Sequence, residues 1–439
     1  MRISTIQAFN NSVSGISRNY ADLTRTQAEI SAGKRLLTPA DDPVGAVRLL
    51  QLNQEQALNS QYKSGITAAK NSLQQEETIL NSVGTVIHRI REIAVQAGNG
   101  GLDASDKNAL ATELAQREDE LLNLLNSRDA SGKYLFSGSQ GDTQPFVRNP
   151  DGTYSYNGDE GQREVQIASS TFIAISDNGK ILFESGSNSN RVSTGKDAAG
   201  PDASGNPSDS SISLGLVTDK EAYDTVFPSS TPPLASDGVG IHFTDAKNYV
   251  VYDLKTIPPG YDWSTSDPNP PSFATLASGK IDDNAQTSDF ITFGGVKVQI
   301  DGEPQGGDTF SIKRQPDQEK RSLLNTVSDL RKALLSAEDT PAGNLAIRDA
   351  VGVAISNLDS SNSQILTGQG RIGARMNVAE STETFIDDVT LVNTAVISQI
   401  QDLDYPEALS RLTLQSTIMD AAQQSFVKIR GLSLFNYLS

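Results

Sequence analysis

Two neighbouring carboxylates, Asp41 and Asp42, are the side chains of this chain whose type and spacing best suit chemistry. Paired aspartates can act as a general acid and base, or can hold a divalent cation. Both lie in the segment SAGKRLLTPADDPVGA, residues 31–46. The question that this segment raises is whether it forms an active site or a connection between two structural elements.

The surrounding residues favour a connection. Gly33 suits the left-handed backbone that ends many helices, and Pro39 forces the residue before it toward extended backbone. Asp42 is a good N-cap and Pro43 a good first helical residue. We therefore predict a joint between two helices, in which the aspartates cap and turn the chain. Pro406, within QDLDYPEALSR, predicts a second joint near the other end.

Other residues with catalytic or ligand-binding potential are sparse. Cysteine is absent, which removes disulfides and thiol chemistry, and the two histidines, His88 and His242, lie far apart without zinc-binding spacing. Asp282 and Asp283 could join Asp289 or Asp301 at a calcium ion, although a solvated acidic loop is the favoured interpretation. We predict no catalytic residue, no metal site and no cofactor.

The charge balance excludes one class of partner. With 36 basic and 54 acidic side chains, the net charge of −18 opposes binding to a phosphate backbone. The first residues lack the pattern of a cleaved signal peptide, and no apolar stretch approaches the ~18 residues needed to span a bilayer. We expect neither a nucleic-acid partner nor membrane insertion, and export by a route without a cleaved signal.

The elements that position the two joints are amphipathic helices at the chain ends. Apolar side chains alternate at spacings of three and four, which predicts a helix with a coiled-coil seam. In the first helix the seam consists of Ile6, Phe9, Val13, Ile16, Tyr20, Leu23 and Ile30. In the last segment the apolar residues are Leu412, Met419, Phe426, Ile429, Leu434, Phe435 and Leu438.

Longer helices are predicted between the two joints. We predict a helix over 43–98, a third helix capped by Ser105 and running toward Arg128, a short one near 323–334, and a long one from Ile347 to Leu403. The longest seam contains Ser361, Gly368, Arg375 and Thr382 at intervals of seven, which indicates close approach by a neighbour or contact with polar groups.

The middle of the chain changes to alternating apolar and polar residues, which is typical of strands. We predict strands in 133–138, 153–168, 171–176 and 180–185, with a hairpin turn at Asn157–Gly158, and a polar loop without a packing face over 186–210. Further strands are predicted in VGIHFTD, NYVVYDL, DFITFGGVKVQIDG and DTFSIKR, with a turn at Gly294–Gly295.

These elements predict an α + β multidomain protein. A long helical coiled-coil or bundle core is made from both the N- and C-terminal arms, and a mainly β domain is inserted between them. The expected divisions are terminal helices in 1–42 and 404–439, a helical bundle with a small β-hairpin region in 43–176 and 317–403, and a β-rich outer domain in 177–316.

Each terminal helix needs partners, because an isolated amphipathic helix cannot bury its apolar seam in water. Pairing the two ends buries both seams only in part. The seam residues given above are therefore predicted to form an assembly interface, filled by the opposite terminus and by neighbouring copies.

Five segments resemble the flagellin family of bacterial flagellar axial proteins: residues 31–46, HRIREIAVQAGNG (88–100), NSRDASGKYLFSG (126–138), DLDYPEALSRLTLQ (402–415) and the SLFNYL end. The resemblance covers roughly residues 1–140 and 317–439. It implies a non-enzymatic structural subunit outside the cell, exported unfolded by the flagellar type III system.

Within the family, the resemblance implies a ring of copies between the hook-associated ring protein and the flagellin filament, with a chaperone that binds the C-terminal helix. Two alternatives stay open. The chain could be a filament subunit itself, or an adhesive, carbohydrate-binding β module on a helical stalk.

Overall fold

The computed structural model describes residues 5–201, 204–227, 238–256, 261, 275–282, 289–315 and 318–435. Seven α-helices occur in these ranges: α1 Thr5–Ala32, α2 Pro43–Ala97, α3 Ala104–Leu125, α4 Lys220–Val226, α5 Leu323–Ser336, α6 Pro341–Gln401 and α7 Tyr405–Phe435. No described helix combines the length and the hydropathy that crossing a bilayer requires.

The described strands are short and lie between α3 and α5. They are β1 Phe146–Arg148, β2 Tyr154–Tyr156, β3 Glu164–Gln166, β4 Phe172–Ala174, β5 Val192–Ala198, β6 Ser211–Ile212, β7 Leu216–Val217, β8 Val239–Phe243, β9 Asn248–Asp253, β10 Thr275–Lys280, β11 Asp289–Phe293, β12 Val296–Asp301 and β13 Thr309–Arg314.

The strands form antiparallel sheets. The largest has the order β10-β9-β8-β13-β5, and a second has the order β11-β12-β6 with β7 also on β12. β1 pairs with β2 and β3 with β4. Gly294 and Gly295, both with positive φ, make the turn between β11 and β12, as the sequence predicts. The predicted α + β class, with a mainly β insertion between helical arms, is confirmed.

The chain divides into two compact units. One contains residues 1–68, 166–172 and 378–439, and the other contains 69–165 and 173–377. The division of the chain at 42, 176, 316 and 403 remains a prediction.

Two large hydrophobic cores lie in the described residues of the second unit. One is helical and is built from the facing seams of α2, α3, α5 and α6 with a few aromatic residues of the adjoining loops, including Phe136, Phe146 and Phe183. The other fills the space between the sheets, with Ile241, Phe243, Phe310 and Val298 at its centre. Apolar side chains recur every three to four residues in the helices and every two in the strands, because those periods place them on one face.

The polar positions of the α6 seam receive specific neighbours. A Cβ on Gly368 would lie 2.5 Å from Leu182 Cδ2, so a larger residue there would require the Leu182 side chain to move. Ser361 is buried, and Arg375 Nη2 donates to Asp177 Oδ1 at 2.8 Å. The neighbour is the segment after β4, which includes one π-helical turn at Lys180–Glu184.

A buried carboxyl group lies at the same place. Glu76 of α2 is fully buried, and its carboxyl group has no side-chain hydrogen-bond partner. Burial, and after it the negative charge of Asp177, raises the pKa of Glu76 to about 8, against the opposing effect of Arg375 and Arg371. Glu76 is therefore protonated in the folded protein at neutral pH.

The burial of the Glu76 carboxyl group predicts that the stability of the protein depends on pH. The pKa of Glu76 is about 4.5 in the unfolded chain and about 8 in the folded one, so the folded state binds more protons between these values. The free energy of unfolding should fall as pH rises from 4.5 to 8, by on the order of 4 kcal/mol from this group. Urea titrations at several pH values measure it.

The matched comparison is Glu76→Gln against Glu77→Gln, its neighbour on α2. Glu76→Gln should remove most of the fall in the free energy of unfolding between pH 4.5 and 8, and it should unfold at a higher urea concentration than the wild type at pH 8. Glu77→Gln should keep the wild-type pH profile. Equal profiles for all three proteins would refute the assignment.

Several local predictions are wrong. Asp103, not Ser105, caps α3, since its side chain accepts from the backbone N–H of Asp106. In the predicted strand 180–185, residues 180–184 form the π-helical turn instead, because Leu182 and Phe183 enter the helical core together. Residues 133–138 make single bridges at Tyr134 and Ser137 and no strand.

The first hairpin is also displaced from its predicted position. β2 pairs with β1 across a turn at 149–153, and Asn157–Gly158 lies beyond the pair. The turn residues Asn149, Asp151 and Gly152 supply the necessary chemistry: Asp151 Oδ1 accepts from the backbone N–H of Thr153, and Gly152 has φ +75°.

Residues 186–210 are not a loop without packing. They include β5, which pairs along its length with β13. Their polar side chains bond to one another: Lys196 Nζ lies 2.7 Å from Ser208 Oγ and 2.9 Å from Ser210 Oγ, and buried Asp308 accepts from both hydroxyl groups. The prediction of a loop from polar composition was wrong, because these polar groups form hydrogen bonds to one another and to Asp308.

Among the described residues of the possible calcium site, Asp282 and Asp289 are neighbours, whereas Asp301 is engaged elsewhere. Asp301 pairs with Arg348 at 2.6 and 2.8 Å, and Asp289 Oδ1 accepts from the backbone N–H of Asp282 at 3.2 Å. Asp283 lies outside the described residues. Within the described part of the chain, no cluster of three potential metal ligands occurs.

Candidate assembly surface

The N-terminal joint uses both aspartates of the DDP sequence. Asp41 Oδ2 accepts from the backbone N–H groups of Leu37 at 3.1 Å and Thr38 at 2.9 Å, and its Oδ1 accepts from Arg25 at 2.9 Å. The backbone hydrogen bond from Thr38 is the main cause that lowers the pKa of Asp41. Pro39 lies in the turn that is closed by a bond from Asp41 N to Thr38 O.

Asp42 starts the next helix. Its Oδ1 accepts from the backbone N–H of Gly45 at 2.9 Å, and α2 begins at Pro43. A Cβ on Gly45 would lie 2.5 Å from Asp42 Oδ2. The two carboxylates are thus engaged in capping, turning and ion pairing.

The C-terminal joint repeats this chemistry. α6 ends at Gln401, and Asp404 Oδ1 accepts from the backbone N–H of Glu407 at 3.2 Å at the start of α7. Pro406 is the second residue of α7, where no intrahelical N–H bond is required. Both joints therefore consist of an aspartate cap with a proline in the first helical turn.

The two joints lie against each other. Arg35 N donates to Gln401 O at 2.8 Å, Leu403 N donates to Gly33 O at 3.2 Å, and Arg35 Nη2 donates to Ile400 O at 2.9 Å. Gly33 has φ +68°, and a Cβ there would lie 3.0 Å from the hydroxyl oxygen of Tyr405. The glycine is needed for its backbone conformation, and a Cβ would also require the Tyr405 side chain to shift slightly.

Gly33 therefore supports a stability prediction. Gly33→Ala should lower the free energy of unfolding by about 1–2 kcal/mol, because a Cβ is strained in left-handed backbone. The control is Gly15→Ala inside α1, where no atom lies within 4 Å of the new methyl group. That change should raise stability by up to about 1 kcal/mol. Chemical denaturation measures both, and the same sign for the two would contradict the role of Gly33.

Beyond the joints, α1 packs against α7. The rings of Phe9 and Phe426 have centroids 5.3 Å apart, and Glu29 accepts from Arg411 at 2.6 Å as well as from Arg25 at 3.2 Å. Met419 is buried. The structure thus places α1 beside α7, with Phe9 of one predicted seam against Phe426 of the other.

The helix pair leaves much of its apolar surface in solvent. Phe9 is 43% exposed and Tyr20 60% exposed, and Val13 is exposed too. Ile16, Leu23, Ile30, Leu412 and Phe426 are partly buried. The side chains of Ile6, Ile429, Leu434 and Phe435, and the whole of Leu438, lie outside the described part of the structure.

Some residues of this surface were not predicted from the sequence. Glu29 and Arg411 lie 382 residues apart, so no local signal connects them. Asp404 could have been found from the sequence. Asp404-Tyr405-Pro406 resembles the Asp42-Pro43 cap with one residue inserted between the aspartate and the proline.

Comparison with known proteins matches both ends of the chain. The family model of the bacterial flagellin N-terminal helical region matches residues 3–141, and that of the C-terminal helical region matches residues 355–438. Together the two regions span half of the chain.

Individual proteins are similar as well. The flagellar hook-associated protein 3 of Salmonella typhimurium is 37% identical over 185 residues, which are 42% of this chain and 57% of that protein. The protein of the same name from Escherichia coli is 35% identical over 185 residues, with the same coverage. The chain thus matches little more than half the length of these relatives.

A solved structure has the same fold. The crystal structure of flagellar hook associated protein-3 from Legionella pneumophila is 26% identical, has a TM-score of 0.60, and covers 80% of this chain and 98% of its own. With both helical regions in order at the two ends, the chain belongs to the bacterial flagellin family.

Proposed function

We propose that this protein is a structural subunit of the bacterial flagellum that forms an adaptor ring between the hook-associated ring and the flagellin filament. It acts outside the cell at the hook–filament junction. Similarity to the two hook-associated proteins 3 supports this position within the family.

The single observation that carries the proposal is the α1–α7 pair. Two joints of the same chemistry hold the helices side by side, yet Phe9, Val13 and Tyr20 remain exposed. Such apolar surface is typical of a site for protein–protein association. The proposed interface consists of Ile6, Phe9, Val13, Ile16, Tyr20, Leu23, Ile30, Leu412, Met419, Phe426, Ile429, Leu434, Phe435 and Leu438.

The partners follow from this place in the flagellum. They are other copies of the chain, the hook-associated ring protein on one side and flagellin on the other. Before assembly, the C-terminal helix binds an export chaperone, and the unfolded chain leaves through the flagellar type III system.

Electron microscopy of cells that lack the protein tests the proposal. The expected cells carry hooks without filaments, and filament protein accumulates in the medium. Normal filaments on such cells would overturn it.

The second candidate is a filament subunit, which the flagellin helical regions favour. Quantifying the protein in sheared, hook-bearing filaments distinguishes the two. A junction subunit is present at about one ring per filament, and a filament subunit in thousands of copies. The proposed function requires the smaller number.

The third candidate, an adhesive β module on a stalk, is tested by removing the inserted sheets. Arg191 and Gln315 are neighbours, since Gln315 N donates to Arg191 O at 2.8 Å, so residues 192–314 can be replaced by a short glycine linker. Leu182 and Phe183, which belong to the helical core, are retained. Cells with this variant should still build filaments and swim; a loss of filaments from a folded, exported variant would favour a function in the insertion.

A further inference from the structure

Three asparagine residues of the chain are followed directly by glycine: Asn99, Asn157 and Asn178. In such a pair the backbone nitrogen of the glycine can attack the side-chain amide carbon of the asparagine, because glycine has no side chain to hinder the approach. The reaction needs an asparagine side chain that can rotate and a glycine N–H that can turn toward it. The three pairs differ in how far the structure allows these movements.

The pair Asn99–Gly100 lies in the turn between α2 and α3, and both residues are exposed to solvent. In the described part of the chain, neither the Asn99 side chain nor the backbone N–H of Gly100 forms a hydrogen bond. A Cβ on Gly100 or on Gly101 would meet no atom within 4 Å, so the space around the turn is open. Both reacting groups of this pair are therefore free to approach each other.

The pair Asn178–Gly179 is fixed at every group that would have to move. Asn178 is buried, its Nδ2 donates to Glu160 O at 3.1 Å, and its Oδ1 accepts from Ile181 N at 2.9 Å. The backbone N–H of Gly179, which is the attacking group, donates to Phe136 O at 2.8 Å. These bonds would have to break together, so a reaction here requires local unfolding.

The pair Asn157–Gly158 has intermediate freedom. Asn157 is exposed, but its backbone N–H donates to Pro145 O at 2.8 Å. Gly158 lies close against the Tyr156 hydroxyl group, and a Cβ there would be 2.8 Å from Ser137 O. The backbone of this pair can therefore rotate less than that of the open turn at Asn99.

We propose that Asn99 is a site of spontaneous deamidation in the folded protein. Gly100 N forms a bond to Asn99 Cγ, the bond from Cγ to Nδ2 breaks, and Nδ2 leaves as ammonia with the proton of the glycine amide. Water then opens the resulting cyclic imide at either carbonyl group, which yields aspartate or isoaspartate. The change needs only water and the chain itself, so it is independent of the proposed function.

The product changes the turn between α2 and α3 in two ways. It adds a negative charge just beyond the C-terminal end of α2, where the helix dipole disfavours one. Isoaspartate also lengthens the backbone by a methylene group. Because Asn99 is exposed and the space around Gly100 and Gly101 is open, the protein should keep its fold. The modification therefore accumulates in native molecules.

Mass spectrometry of tryptic peptides measures the three sites separately, because they fall in different peptides: 92–107, 149–163 and 164–180. The full-length protein is incubated at mildly alkaline pH, which promotes ionisation of the attacking amide, with and without denaturing guanidinium chloride. In the folded protein, Asn99 should deamidate on the order of a hundredfold faster than Asn178, since Asn178 reacts only after local opening. In denaturant the rates at the three sites should be similar.

Gly100→Ala and Gly101→Ala are the matched variants, since neither new methyl group would meet a neighbouring atom. Gly100→Ala places a side chain on the attacking residue and should slow the deamidation of Asn99 several-fold. Gly101→Ala leaves the attacking residue unchanged and should keep the wild-type rate.

Three outcomes would overturn the proposal. Equal rates at Asn99 and Asn178 in the folded protein would show that the fold does not control the reaction. A difference between these two sites that persists unchanged in denaturant would come from the local sequence alone. Equal slowing by Gly100→Ala and Gly101→Ala would exclude Gly100 N as the attacking group.

Discussion

Cells whose only copy of the protein carries Phe426→Asp are expected to produce hooks without filaments and not to swim. The Phe426 ring contacts Phe9 across the α1–α7 pair, with centroids 5.3 Å apart. A carboxylate in this seam would be desolvated without a partner whenever the neighbouring copies close over it. Swimming on soft agar and electron microscopy measure the effect.

The isolated Phe426→Asp protein should keep nearly the wild-type circular dichroism, because the cores of the second unit do not include this residue. Gln424→Asp, a solvent-exposed change two residues away on α7, is the control and should support normal filaments. Normal swimming of Phe426→Asp would contradict the account, and so would global unfolding of the isolated variant.

The largest expected effect on stability is that of Glu118→Ala. Glu118 is fully buried, accepts from the Tyr154 hydroxyl group at 2.6 Å and from Arg331 Nε at 2.7 Å, and lies 3.5 Å from Arg148. It links α3, α5 and the β1–β2 hairpin. Removing it leaves a hydroxyl group and guanidinium groups without their acceptor, which should cost about 3–5 kcal/mol.

Denaturant unfolding followed by far-UV circular dichroism measures this loss. The control is Glu120→Ala on the same helix, whose carboxylate pairs with Arg117 at 2.7 Å on the surface. Exposed pairs contribute little, so Glu120→Ala should change stability by less than about 1 kcal/mol. Equal effects of the two changes would show that the buried network does not hold these elements together.

The helices and joints could be predicted from the sequence because their signals are local. A seam with alternating spacings of three and four sets the face of α1, and the Asp42-Pro43 pair sets the start of α2. Gly33 marks the end of α1 for the same reason, as left-handed backbone favours glycine. Each of these features lies within a few residues of the structure that it determines.

The inserted region was predicted less well because its structure depends on distant residues. β5 is polar in sequence, and it becomes a strand because β13, more than 100 residues later, supplies the ladder. The π-helical turn at Lys180–Glu184 forms because Leu182 and Phe183 meet the helical core. Neither partner is visible in the local pattern.

The assembly surface also depends in part on residues that are distant in the sequence. The terminal seams followed from their periodicity, whereas the ion pair between Glu29 and Arg411 needed the structure. Exposed apolar side chains on the long helices, such as Val44 of α2 and Phe385 of α6, were also missed, because a helix with apolar residues on several sides does not reveal which side its own chain covers. The exposed fractions of the side chains in the structure distinguish the covered side of each helix from the uncovered side.

We propose that the apolar seams of α1 and α7 become fully buried only among neighbouring copies. Hydrogen exchange of the amides around Ile16 and Phe426, measured on dilute isolated protein and on isolated flagella, tests it most directly. The account predicts rapid exchange in the isolated protein, since a single helix pair is marginal in water, and strong protection in the flagellum. Strong protection of both segments in the dilute, monomeric protein would contradict it.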